Sequence, residues 1–162
     1  MAATRVHQRL AERRQSESVS TRKDIKVLLV DDEQAFVDTL AMRLRMRNLE
    51  VDTVYDGSQA LAFLMDLPVE DEPDAMVLDL KMPDMSGLEV LRRVKKYYPR
   101  VEVIMLTGHG SDSDADEAQR VGVFDFLKKP VDIDTLMGRI REAHRVKLEK
   151  AAARVSGDDS TT

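Results

Sequence analysis

The 162-residue chain predicts an α/β fold, a three-layer (βα)5 sandwich built on a parallel five-stranded sheet. Three observations carry that prediction. Short apolar runs alternate strictly with amphipathic stretches of helical period, the order in which helices join parallel strands. Two of the runs, "KVLLV" and "VIML", are nearly continuously apolar, as strands covered on both faces are. Finally, aspartate, threonine or lysine follows four of the five runs, and ligands in such sheets sit beyond the carboxyl ends of the strands.

The elements follow in order. "IKVLLV" (25–30) is the first strand, and Gln34 to Arg47 the helix after it. Phe36, Leu40 and Leu44 recur there at four-residue spacing, with Val37 on the same core-facing side. "EVDTV" (50–54) is a second, shorter strand, and Asp56-Gly57 punctuates the entry to a helix over 58–66. "LPVEDEP" (67–73) is a polar, proline-flanked loop. "DAMVLDL" (74–80) is the third strand, and "KMPDMSG" turns the chain into a helix from Gly87 to Tyr98 resting on Leu88, Leu91 and Val94. Pro99 ends that helix. "VEVIMLT" (101–107) is the fourth strand and "GHGSDSD" a loop. A weak helix runs from Ala115 to Val121, in a segment (112–121) that buries little and therefore has low local stability, as a moving element should. "DFLKKP" carries the fifth strand, and the last helix spans Ile133 to about Lys150, with Leu136, Ile140 and Ala143 toward the core. Its charged remainder reads as a solvated end, since no sustained heptad supports a coiled coil.

Composition excludes several function classes. Hydrophobic residues make up 43% of the chain, ample for a core, and charged residues 34%, as on a soluble surface. There is no tryptophan, so aliphatic side chains and nine methionines fill the interior. There is no cysteine either, which removes disulfides, thiolate metal sites and thiol nucleophiles and suits a reducing cytoplasm. The net charge of −5 argues against direct nucleic-acid binding. No apolar stretch approaches the roughly 20 residues of a membrane span, and the arginine-bearing N-terminus lacks the apolar region of a secretory signal. The reading is a soluble, cytoplasmic protein. Its polar residues 1–23 form a flexible extension with a short helix near Val6 to Arg14, and its "SGDDSTT" end frays.

The strand ends gather Asp31 and Asp32, Asp79, Thr107, and the pair Lys128-Lys129 before Pro130. Carboxylates that share a site raise one another's pKa unless a cation intervenes. A hard cation with oxygen ligands suits them, Mg²⁺ with one or two carboxylates and waters above all, and Mn²⁺ as its substitute. A lysine and a hydroxyl complete the electrostatic set that a transferring phosphoryl group needs. The only plausible nucleophile among them is a carboxylate, a residue type that forms acyl phosphates.

"VLLVDDE", "DAMVLDLKMPDMSGLEVL", "VIMLTGHG" and "GVFDFLKKPVD" together resemble the receiver domain of two-component response regulators. The likeness covers residues 25 to about 145, each motif on its expected strand end. It implies a flavodoxin-like sheet of order 2-1-3-4-5, a receiver over residues 24–146, and a helix end with a disordered tail over 147–162. The resemblance makes Asp79 the acceptor of a phosphoryl group from a sensor histidine kinase or histidine phosphotransfer protein. Asp32, Asp79 and the Lys81 carbonyl would ligate Mg²⁺, with Asp31 acting mainly through water. Thr107 and Phe126 match the family's switch positions, and Pro130 the proline after a cis peptide. Lys129, adjacent to the proline, takes the catalytic place, leaving Lys128 pointing away. Lys81 and His109, two residues past Asp79 and Thr107, tune dephosphorylation. Glu33 is left to start the first helix, where its charge favours the dipole.

The expected function is that of a stand-alone receiver, a phosphorelay module that changes its surface for an unknown downstream protein, as a monomer or a phosphorylation-dependent dimer. A pseudo-receiver that binds partners without phosphate is the alternative. An enzyme on the same topology fits worse. A haloacid-dehalogenase-type phosphatase wants an aspartate where Lys81 stands, and flavin or dinucleotide carriers want a glycine-rich loop where "DDEQ" stands.

Overall fold

The computed structural model describes residues 24–158. The extension expected over 1–23, with its short helix, and residues 159–162 of the expected tail lie outside that range. Five strands, β1 (Lys26–Val30), β2 (Glu50–Val54), β3 (Ala75–Leu78), β4 (Glu102–Thr107) and β5 (Asp125–Lys128), pair in parallel in the order β2-β1-β3-β4-β5. Between and after them run α1 (Gln34–Arg45), α2 (Gly57–Met65), α3 (Gly87–Tyr97), α4 (Asp112–Val121) and α5 (Ile133–Asp158). This is the flavodoxin-like order that the resemblance implies. The third strand is shorter than its apolar run and stops at Leu78, so Asp79 lies beyond the ladder, where its side chain is free to serve the sheet edge.

Period-2 alternation along the central strands splits the core into two layers. Leu28, Val30, Met76, Leu78, Val103 and Met105 face α2, α3 and α4. Val27, Leu29, Val77, Ile104 and Leu106 face α1 and α5. Each aliphatic side chain buried in this way stabilises the fold by roughly 1.5–3 kcal/mol relative to exposure. Leu136, Ile140 and Ala143 lie in the second layer, as their spacing predicts, joined by Ile133 and Met137. Among the described residues no helix is long and apolar enough to cross a membrane.

Helix α4 buries only Ala118, in line with its weak apolar face, and its ends hold it instead. The Ser111 hydroxyl accepts from Asp114 N at 3.1 Å while the Asp114 carboxylate accepts from Ser111 N at 2.9 Å. Gly122, at φ 109°, closes the other end in the left-handed region. This capping box starts the helix at Asp112, three residues before its apolar pattern begins. Ser111→Ala should therefore cost about 1 kcal/mol of local stability. Amides 112–115 should exchange faster in the variant, and unaltered protection there would contradict the assignment.

The last helix departs from expectation. It continues to Asp158 instead of ending near Lys150, so the segment expected to hold only a helix end and disordered tail is helical through eight further residues. Residues 149–157 are exposed, as a solvated end should be, but two lysines before that stretch's end are tied to the sheet. Lys147 Nζ lies 3.1 Å from Asp74 Oδ1, and Lys150 Nζ lies 2.6 Å from Glu102 Oε1. Glu102 is 2% exposed and is also approached by Lys95 at 3.5 Å. A carboxylate buried that deeply requires such partners, and their pairing fastens α5 to the amino edge of the sheet.

Candidate functional site

The site forms where the topology reverses. β2 and β3 flank β1 on opposite sides, so the connections leaving β1 and β3 part to opposite faces and open a crevice at the carboxyl edge. The β1–β3 register sets Val30 beside Leu78, which carries the next residues, Asp31 and Asp79, to the same height. Asp79 N donates to Val30 O at 2.9 Å and fixes that level. Oxygens of Asp31, Asp32 and Asp79 all lie within 4.8 Å of one another. Asp31 and Asp79 are buried, whereas Asp32 is exposed at the mouth.

Each buried acid is oriented by the backbone that follows it. Asp31 Oδ1 accepts from Glu33 N at 2.9 Å, and Asp79 Oδ1 accepts from Leu80 N at 2.8 Å. Thr107, fully buried at the end of β4, faces the Asp79 carboxyl, and its hydroxyl favours the charged form. Its oxygen also accepts from His109 N at 3.2 Å. Lys129 reaches in after β5 and places Nζ 2.6 Å from Asp31 Oδ2 and 3.7 Å from Glu33 Oε1. Lys128 is exposed, as strand alternation requires.

Burial pushes the Asp79 carboxyl above its ordinary range, and the Asp31 charge pushes it further. Lys129, Thr107 and the Leu80 N–H pull in the opposite direction without prevailing. Burial also works against the Lys129 charge, but Asp31, followed by Asp79 and Glu33, outweighs it and raises the ammonium above its ordinary value. One ammonium thus faces three clustered carboxylates and Glu33. The donor set is all oxygen and its charge is under-compensated, so it fits a hard divalent cation.

Asp31, Asp32, Asp79, Thr107 and Lys129 therefore meet as expected, and the Lys129-Pro130 peptide is cis. Other expected residues stand around them. Lys81 is exposed, with its charge close enough to lower the Asp114 carboxyl. His109 is exposed on the loop after β4. Phe126 is half-buried, its ring packed where a side chain at Gly110 would lie: a Cβ there would fall 2.5 Å from Phe126 Cζ and 3.0 Å from Thr107 Cγ2.

Two residues take places that sequence spacing did not assign. Phe36, expected in the core on its four-residue repeat, is only half-buried, and Lys129 Nζ sits 4.2 Å above its ring centroid. That contact orients the ammonium by cation–π attraction. Glu33 occupies the N-cap of α1 but makes no side-chain cap bond and leans on Lys129 instead.

A family model described as the response regulator receiver domain matches residues 27–141. The transcriptional regulatory protein GlrR of Escherichia coli (strain K12) is 37% identical over 130 residues, which are 80% of this chain and 28% of that protein. The chain thus spans less than a third of that relative. A CheY-like receiver domain protein from Methanospirillum hungatei JF-1 superposes with a TM-score of 0.72 at 27% identity, over 79% of this chain and 99% of that one. A response regulator protein from Burkholderia pseudomallei was solved with a phosphorylated aspartic acid, a calcium ion and citrate. It superposes with a TM-score of 0.67 at 25% identity, over 80% of this chain and 75% of that one.

Proposed function

The chain belongs to the response regulator receiver domain family, and from that premise we propose that it is a phosphorylation-controlled signalling module with Asp79 as its phosphoacceptor. The observation that carries this reading is the convergence of Asp31, Asp32 and Asp79 within 4.8 Å beside Thr107 and Lys129. The aspartyl phosphate in the Burkholderia relative supports it by analogy.

A carboxylate oxygen of Asp79 attacks the phosphorus of a phosphohistidine on a sensor kinase or phosphotransfer protein. The P–O bond forms as the P–N bond breaks, and the leaving imidazole nitrogen takes up a proton. Lys129 places positive charge against the phosphoryl oxygens, and the Thr107 hydroxyl donates to one of them. Asp32, Asp79 and the Lys81 carbonyl would hold Mg²⁺ directly and Asp31 through water, and the bound ion supplies neutralising charge for the transferring group. Because Thr107 and Lys129 hold the phosphorylated form more tightly in one arrangement than in the other, phosphorylation shifts the population toward that arrangement. Phe126 follows Thr107, and the surface of α4, β5 and α5 changes for a downstream protein.

The direct test is incubation with acetyl phosphate and Mg²⁺, followed by intact-mass measurement and mapping of the adduct. A single adduct on Asp79 is expected. No adduct would replace this reading with a phosphorylation-independent interaction module.

Lys81 and His109 flank the path by which water reaches the phosphoryl group. Replacing both with alanine should alter the lifetime of the adduct by roughly threefold or more, as a change in water access would. Decay of the labelled protein measures this, and an unchanged lifetime removes both residues from the proposal.

A further inference from the structure

Helix α2 begins with its first three amide groups taken by two carboxylates from different parts of the chain. Asp56, its own N-cap, accepts from Gln59 N at 2.7 Å. The other two amides belong to Asp84, in the turn after β3. Its oxygens accept from Gly57 N at 3.2 Å, Ser58 N at 2.9 Å and Ser58 Oγ at 2.7 Å. Helix-start amides that no carboxylate reaches must find another partner, so this contact satisfies the helix. It also restrains the loop that supplies it.

That loop is the one carrying Asp79. It is closed at its base by Gly87 N, which donates to Leu80 O at 2.7 Å. At its crown α2 lies directly on it. A Cβ at Gly57 would stand 2.9 Å from Val90 Cγ2 and 3.0 Å from Met85 Cβ, so no side chain separates helix from loop. Slight desolvation disfavours the Asp84 charge, but the Ser58 and Gly57 donors outweigh it and hold the carboxyl below its ordinary range. The contact is made by the ionised form at neutral pH.

We propose that Asp84 is a positioning residue for phosphoryl transfer: by capping α2 it fixes the backbone between Asp79 and Gly87 and so aims the Lys81 carbonyl at the metal position. The inference rests on the receiver reading and deepens it. Asp56 provides the control, because it caps the same helix without touching the acceptor loop.

The experiment compares wild type, Asp84→Ala, Asp84→Asn and Asp56→Ala as full chains. Calorimetric titration with Mg²⁺ alone, hydrogen exchange without metal, and thermal melting are measured on each. Asp84→Ala should weaken Mg²⁺ binding about tenfold, the scale of outer-shell losses at metal sites, and speed exchange at the amides of Lys81, Met82 and residues 84–86. Asp56→Ala should melt earlier with Mg²⁺ affinity unchanged. Asp84→Asn, whose carbonyl still accepts from Ser58, should recover part of the affinity. Equal losses of melting temperature in the two alanine variants, with wild-type Mg²⁺ affinity in both, overturn the proposal. Wild type that neither binds Mg²⁺ nor takes an adduct from acetyl phosphate overturns the receiver reading and this inference with it. Wild type that does both, beside an unaltered Asp84→Ala, overturns the inference alone.

Discussion

Asp79→Asn will take up no phosphoryl group from acetyl phosphate, and without divalent cations it will be more stable at neutral pH than the wild type. The first result follows from chemistry, since an amide has no anionic oxygen with which to attack phosphorus. The second follows from electrostatics. Asp79 is 4% exposed, and burial and the Asp31 charge raise its carboxyl above the unfolded value. A group whose folded pKa is raised binds more protons folded than unfolded between the two values. Its stabilising contribution is complete below the unfolded pKa and lost as pH rises through the folded one. At neutral pH, above the unfolded carboxylate range, the wild-type fold bears the cost of that raised acid, and asparagine removes it. The stability gain should shrink below the ordinary carboxylate range, and also when Mg²⁺ is added to both proteins, because the cation stabilises only the form that binds it. Melting curves at several pH values, with and without Mg²⁺, measure both effects. An asparagine variant that melts below the wild type in metal-free buffer at neutral pH would refute the account of the acid cluster.

Gly87→Ala is expected to be the most damaging single-methyl change in the chain. An added Cβ would stand 2.1 Å from Asp79 O, 2.8 Å from Leu80 Cα and 3.0 Å from Asp79 C. All three are backbone atoms, so no rotamer change relieves the overlap. Either the first turn of α3 withdraws, breaking the 2.7 Å bond from Gly87 N to Leu80 O, or the Asp79 peptide moves. Overpacking of this kind costs about 3 kcal/mol, a fall in melting temperature of about 10 °C for a domain of this size. Displacing the Asp79 peptide should also reduce phosphoryl uptake from acetyl phosphate. Gly138→Ala provides the comparison, because no atom lies within 4 Å of its added methyl. On an exposed helical face that change should stabilise by about 0.5–1 kcal/mol. Equal melting of the two variants would show that the loop yields where the distances leave it no room.

The sheet and the five converging side chains were legible because both depend on short-range patterns. Apolar runs bounded by turns mark the strands, and in a parallel sheet the residues following them must share one edge. Residues 31, 79, 107 and 129 needed only the strand order to be brought together. Three features escaped because they depend on distances the sequence does not display. Phe36 has the spacing of a core residue, yet α1 places it at the rim of the site beneath Lys129. Asp84 and Ser58 are 26 residues apart, and nothing in "KMPDMSG" or "DGSQAL" indicates that one caps the other. The far end of α5 looks solvated by composition. Its lysines pair with Asp74 and Glu102 at the opposite edge from the acids that carry the chemistry, so they carry no motif.

The pins at Lys147 and Lys150 make α5 a lever. Its 26 residues span about 39 Å, with about 25 Å between its start and the second pin and about 12 Å beyond it. A rigid rod turning about that fulcrum moves its far end by about half the travel of its near end, in the opposite sense. The near end begins three residues after Pro130, beside Lys129. Leu136, Met137, Ile140 and Ala143 bury that near half in the core, so any tilt there would need the layer beneath it to shift, and Asp158 would move the opposite way by about half as much.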